Sequence, residues 1–97
     1  MSAAASNPTL FLNAHQDCAL RRIATGAATQ QVRYQTRMAL LRRNLIQPGI
    51  GLASLTATGR TEALRALREV KACHDELGLN FPGNTRAILE LEALVAA

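Results

Sequence analysis

The side chains with most chemical reach in this sequence are arginines. Arg21, Arg22, Arg33, Arg37, Arg42, Arg43 and Arg60 lie between Cys18 and Thr61 with no acid among them, and Asp17 is the only acid before Glu62. A guanidinium is a planar fork of donors that grips a phosphate or a guanine edge bidentately. From Glu62 onward the balance reverses, with Arg65, Arg68, Lys71 and Arg86 set against Glu62, Glu69, Asp75, Glu76, Glu90 and Glu92. Such asymmetry directs the basic half toward a polyanion, nucleic acid foremost, with an acidic protein surface as the competing partner and a solvated basic face as the plain alternative. The remaining reactive side chains offer less. His15 and Cys18 stand as H-x-x-C, and Cys73 and His74 are adjacent. Neighbours on a helix point about 100° apart and rarely chelate one ion, so no metal site is expected. Cys18 and Cys73 read instead as small core or boundary residues, and His74 as a histidine of an apolar stripe with a local partner. No carboxylate is spaced to orient a histidine beside a thiol, and there is no phosphate-cradling glycine loop and no paired-carboxylate pattern. The expectation is a protein without enzymatic activity or cofactor.

The elements that must position these arginines belong to a small chain. Its 97 residues are 48% hydrophobic, 3% aromatic and carry a net charge of +4, which fits one thin-cored, mostly α domain. No apolar run approaches the roughly 18 residues that span a bilayer, so no membrane partner is expected. The start MSAAASNPTLFL lacks the charged lead and apolar centre of a secretory signal. Two cysteines build no disulfide framework, which suits a reduced, cytoplasmic setting.

Residues 1–12 read as a tail, small-residue up to Ser6, with Leu10, Phe11 and Leu12 as a packing lead-in. Asn7-Pro8 offers one helix start. Asn13, with Gln16 three residues on as a capping-box partner, offers a better one for a helix over Ala14 to Ala24 ending at Thr25-Gly26. Ala27 to Ile46 holds no Gly or Pro, and Tyr34, Met38, Leu41 and Leu45 are spaced 4, 3, 4 as an apolar stripe. Gln47-Pro48-Gly49 breaks that segment, and Ile50 to Leu55 suits a short strand or ribbon. Thr56 or Thr58 caps the next helix, which runs to about Leu77 with Gly78 beyond it. Its stripe is Ala63, Ala66, Leu67, Val70, His74 and Leu77. After the turn at Asn80 to Asn84, Asn84 caps a last helix over 84–97. Its stripe of Ile88, Leu91, Leu94 and Val95 is either core or the seam of a homodimer.

Leu40 to Leu67, LLRRNLIQPGIGLASLTATGRTEALRAL, resembles the back half of a winged helix-turn-helix domain. In that family the recognition helix ends in a leucine–basic–basic–x–leucine–isoleucine stretch, matched by Leu41-Arg42-Arg43-Asn44-Leu45-Ile46. A wing follows, here Gln47 to Ser54, and then a Leu-Thr-x-x-Gly-Arg step, here Leu55 to Arg60. Leu20 to Gly26 looks like the family's first helix. The resemblance implies a winged-helix-like domain over 13–79, with a short β-ribbon wing and an extra C-terminal helix. It implies a DNA-binding transcription regulator of bacterial or phage type, acting on double-stranded DNA as a homodimer. Gln31, Arg33, Thr36, Arg37 and Arg43 would then face the groove, with Arg42 on a flanking phosphate and Arg21, Arg22 and Arg60 on the backbone. Asn44 stands where the family often has glycine, and Gly59 would let the wing pack closely. The family's second and third helices must share about twenty residues here. Either the second is a single turn near Ala28 to Val32, or the two have merged. A scaffold that binds or inhibits another protein is the alternative use of the same basic face.

Overall fold

The computed structural model describes residues 11–97. The tail to Ser6, the Asn7-Pro8 helix start and Leu10 of the lead-in lie outside the described residues. Four α-helices are formed among the described residues: α1 (Ala14–Ala24), α2 (Tyr34–Arg42), α3 (Ala57–Glu76) and α4 (Pro82–Ala96). Two 3-10 turns, Thr29–Gln31 and Gly51–Ser54, complete the order. No helix in this set is long and apolar enough to cross a membrane.

α1 begins where local chemistry directs. The Asn13 side chain accepts from the Gln16 amide at 2.8 Å, and the Gln16 side chain accepts from the Asn13 amide at 3.0 Å, a reciprocal capping box. α3 begins at Thr56 with a one-sided cap: the Thr56 hydroxyl accepts from the Gly59 amide at 3.0 Å and donates to the Asn44 carbonyl at 2.6 Å. α1, α2 and α3 all end alike. The second residue past each helix's cap donates back to the third-last carbonyl, as in Leu45 to Leu40 at 3.0 Å and Leu79 to His74 at 2.8 Å. That closure needs a left-handed residue, supplied by Gly26, by Gly78 and, after α2, by Asn44 at φ 59°. Asparagine is the residue other than glycine that takes this conformation most cheaply.

α3 is the central element. α1 and α4 both pack on it, and α2 packs on α1. Leu20, Ile23, Leu40, Leu45, Leu55, Leu67 and Leu91 are fully buried in one cluster. Leu12 is buried while its neighbour Phe11 is 81% exposed, so only one residue of the described lead-in packs. Arg65 holds α1 on α3. It meets Asp17 at 2.7 Å, Glu62 at 3.0 Å and Glu69 at 3.1 Å. The hydrogen bond to Asp17 raises its affinity for its proton above the ordinary arginine value, against an opposing effect of burial. Arg68 and Glu92, 2.7 Å apart, tie α4 to α3.

Several expectations are corrected. No β-ribbon wing forms; the described residues contain no strand. Pairing in this region is limited to two isolated antiparallel bridges, Ala28 with Ile50 and Ile46 with Leu55. Pro48 has no amide to donate, and Gly51 turns left-handed at φ 66°, so neither bridge propagates into a ladder. The chain instead tightens into the Gly51–Ser54 turn, closed by the Ser54 hydroxyl on the Gly51 carbonyl at 2.7 Å. Between α1 and α2 the chain makes the single 3-10 turn Thr29–Gln31 and does not run as one merged helix. The stripe on α2 is displaced as well: Leu40 is fully buried, Leu41 and Met38 are half-buried and Tyr34 is 66% exposed. The Asn44 break resets the helical phase, so Leu45 buries through the turn and not as a continuation of the stripe. On α3, Ala63, Ala66 and Leu67 bury, Val70 and His74 half-bury, and Leu77 is exposed. α1 has 11 residues against 20 in α3, too few to follow α3 to its end. α4 starts at Pro82 behind Phe81, because proline's fixed φ suits a first helical position; Asn84 sits inside that first turn. Cys18 and Cys73 are both exposed. His74 packs against Phe81 with ring centroids 4.4 Å apart and the ring planes tilted by 48°.

The proposed seam on α4 divides. Ile88 and Leu91 are buried against the chain's own core, whereas Leu94 and Val95 are 42% and 44% exposed. Leu91→Glu is therefore expected to unfold the protein and not to release intact monomers. A buried unpaired carboxylate costs several kcal/mol, comparable to the stability of a domain this size. Thermal melting by circular dichroism reads this directly, and a cooperative transition retained within a few degrees of the parent would return Leu91 to a surface role.

Candidate nucleic-acid interface

The arginines of the first half converge only in part. Arg22 on α1, Arg33 before α2 and Thr36 on α2 line one shallow depression of about 120 Å3, together with His15, Cys18 and Val32. Arg21 and Arg22 are neighbours on α1 and so point about 100° apart. Arg21 shares the flank of Asp17, four residues before it, which faces α3 through Arg65. The structure thus separates Arg21 from the Arg22–Arg33 group.

α2 is docked through Leu40, and at 100° per residue Thr36 and Arg37 stand on opposite flanks of that contact. Thr36 faces the α1 depression. Arg37 faces the other way, into a cleft of about 470 Å3 shared with Thr29, Gln30, Leu41, Ile46 and Pro48. Arg37 donates to the Gln30 carbonyl at 3.3 Å, and its guanidinium carbon lies 5.6 Å from the centre of the Tyr34 ring. The side of α2 opposite Leu40 carries Gln35, Met38 and Arg42, with Gln35 and Arg42 exposed. A stripe phased on Tyr34 and Met38 turns Met38 inward and leaves Gln35 without a role. Phasing on Leu40, with Asn44 as the helix terminator, places both on the outer side.

Two expected contacts are engaged structurally. The Gln31 side-chain oxygen accepts from the Ala28 amide at 3.0 Å, which holds the Thr29–Gln31 turn. Arg43 donates to the Phe11 carbonyl at 2.8 Å, tying the end of α2 to the lead-in. Arg60, in the first turn of α3, is half-buried, and its Nε is buried without a hydrogen-bond partner among the described residues.

Charge is the strongest property of this surface. Arg21, Arg22, Arg33, Arg37, Arg42 and Arg60 form no ion pair with any described carboxylate, and the one acid of that region, Asp17, is taken by Arg65. Every other ion pair joins residues of α3 and α4. The loop 47–51 carries no charge but is rigidly held. The Thr29 amide donates to Gly49 at 2.9 Å, the Gly49 amide to the Thr29 hydroxyl at 3.2 Å, and the Gly51 amide to Ala27 at 3.0 Å. The described residues hold no group of three or more His, Cys, Asp or Glu side chains placed to share a metal ion. Comparison with protein-family models, curated proteins and solved structures finds no match for this chain.

Proposed function

We propose that this chain is a small DNA-binding regulator that holds duplex DNA on the arginine-rich face built from α1, the Thr29–Gln31 turn and α2. The observation that carries the reading is the uncompensated charge: Arg22, Arg33, Arg37 and Arg42 on this face, with Arg21 and Arg60 beside it, have no carboxylate partner among the described residues, and the one acid nearby is already neutralised from α3. The succession of helix, single turn and short helix supports it as an abbreviated helix-turn-helix. An α-helix with its side chains is about 10–12 Å across and enters a major groove roughly 12 Å wide, and the nine residues of α2 give it about 13 Å of length to lay there. Presented to a groove by its outer side, α2 offers Gln35 to base edges, while Arg22, Arg33, Arg37 and, at the end of α2, Arg42 reach phosphates on either flank. A homodimer, the form in which small regulators gather two weak half-sites, would draw on the exposed Leu94 and Val95 of α4 and not on Ile88 or Leu91. A chromosomal or phage DNA target would place the protein in the cytoplasm.

The test is a mobility shift on random-sequence duplex DNA over a range of salt. Each neutralised phosphate contributes a slope of about −0.9 in log affinity against log salt, so four to six engaged arginines give about −4 to −5. Absence of micromolar binding even at low salt overturns the reading. It would then leave an acidic protein as the partner of the same face, a use favoured by the neutral loop 47–51, which brings no cation to a phosphate.

A further inference from the structure

The cleft between α2 and the loop 47–50 has the composition of a small-molecule site. Its volume of about 470 Å3 falls within the usual range for ligand pockets. Leu41, Ile46 and Pro48 supply apolar walls, and Thr29, Gln30 and Arg37 the polar ones. Most of that polarity is already used. The Thr29 amide and hydroxyl are both bonded to Gly49, and the Gln30 carbonyl accepts from Arg37. The Arg37 guanidinium has five N–H donors and spends one of them on Gln30. It is steadied by that bond and by the Tyr34 ring, so little freedom is lost when a ligand takes the rest. No carboxylate lines the cleft. A single fork beside apolar walls suits one carboxylate on a compact apolar body. A phosphate dianion would be left short of donors there.

We infer that this cleft binds a small aromatic or branched aliphatic monocarboxylate through Arg37, and that its occupancy weakens duplex binding. The second half rests on the DNA-binding reading: a bound carboxylate neutralises one cation of the DNA face and fills the space beside α2. The coupling is then reciprocal, with duplex weakening the acid as much as the acid weakens duplex.

The first experiment needs no DNA. The full chain, labelled with 15N, is titrated with 2-naphthoate, and with 2-naphthalenemethanol as the uncharged counterpart. Saturable shifts at Thr29, Arg37 and Leu41, with a Kd at or below about 1 mM, are expected for a ligand of this size. The alcohol and the Arg37→Gln variant should each bind about tenfold more weakly. Arg86→Gln, which removes the same charge from α4, should bind 2-naphthoate like the parent. No saturable shift up to about 10 mM, equal binding of acid and alcohol, or unchanged binding by Arg37→Gln overturns the site. Should Arg37→Gln fail to fold, the acid–alcohol comparison on the parent decides alone. The second experiment adds duplex. Saturating 2-naphthoate is expected to weaken the mobility shift about fivefold or more, and the alcohol to leave it unchanged. Duplex binding indifferent to the acid overturns the coupling. If the acid binds as described and no duplex binds at any salt, the DNA reading fails, the coupling falls with it and the ligand site stands.

Discussion

Gly59→Ala is expected to lower stability by about 2–4 kcal/mol, although alanine is the better helix former by nearly 1 kcal/mol at an open site. Gly59 lies in the first turn of α3 with helical backbone, so conformational freedom is not the issue. A Cβ built there collides with the carbonyl of Leu45 and with the Leu45 backbone behind it. That backbone is pinned: the Leu45 carbonyl accepts from the Thr56 amide at 3.1 Å, its own amide donates to Leu40 at 3.0 Å, and the neighbouring Asn44 carbonyl accepts the Thr56 hydroxyl at 2.6 Å. Relief requires α3 to lift from the end of α2, which opens the packing of Leu45, Leu55 and Leu64. For a domain of this length the loss corresponds to a fall in Tm of roughly 10–25 °C. Gly83→Ala, in the first turn of α4, is the matched control. Nothing lies within 4 Å of its added Cβ, and a gain of about 0.5–1 kcal/mol is expected. Urea denaturation of the two variants checks both. A Gly59→Ala protein as stable as the parent would show that α3 does not approach α2 this closely.

The combined variant Arg22→Ala, Arg33→Ala and Arg42→Ala is expected to lose about 100-fold or more in duplex affinity at moderate salt, and to flatten the salt slope by about 3. The three side chains come from α1, the entry to α2 and its outward side, and none is ion-paired among the described residues. Arg22, Arg33 and Arg42 are exposed, so stability should change by no more than about 0.5 kcal/mol each. Arg43 is excluded from the set because it holds the Phe11 carbonyl. The informative readout is the slope together with the affinity. A loss of affinity with an unchanged slope would mean that these residues do not neutralise phosphates.

Much of this architecture was legible because it is written locally. Asn13 with Gln16, Thr56 with Gly59, and Gly26 and Gly78 past the helix ends are signals within one turn of the elements they bound. What misled was the middle of the chain. Asn44 ends α2 without a proline or glycine to announce it, so a stripe that ran through Leu45 looked continuous and put Tyr34 and Leu41 where Leu40 belongs. The two-glycine loop reads as a ribbon because ribbon and tight turn share composition; Pro48 and left-handed Gly51 decide between them only once the partners Ala28 and Leu55 are in place. The role of α4 depends on what its apolar side meets. No pattern within α4 says whether Ile88 and Leu91 meet α3 or a second chain. At the basic face, the residue types were readable and their grouping was not. Arg22 with Arg33, and Arg37 with the cleft, are neighbours through tertiary packing, and Gln35 and Met38 emerge on the outer side of α2 only after its phase is fixed by Leu40.

The central claim is that the arginine face of α1 and α2 meets duplex DNA. Chemical-shift mapping tests it most directly, by following backbone amides and arginine Nε groups of the full chain as random-sequence duplex is added at low salt. The account predicts that shifts concentrate at Arg22, Arg33, Gln35, Arg37 and Arg42, and that Glu69, Asp75 and the α4 residues Leu89 and Glu90 stay unmoved. Shifts centred on the exposed Leu77, Leu79 and Phe81, or no shifts at micromolar to millimolar duplex, would contradict it.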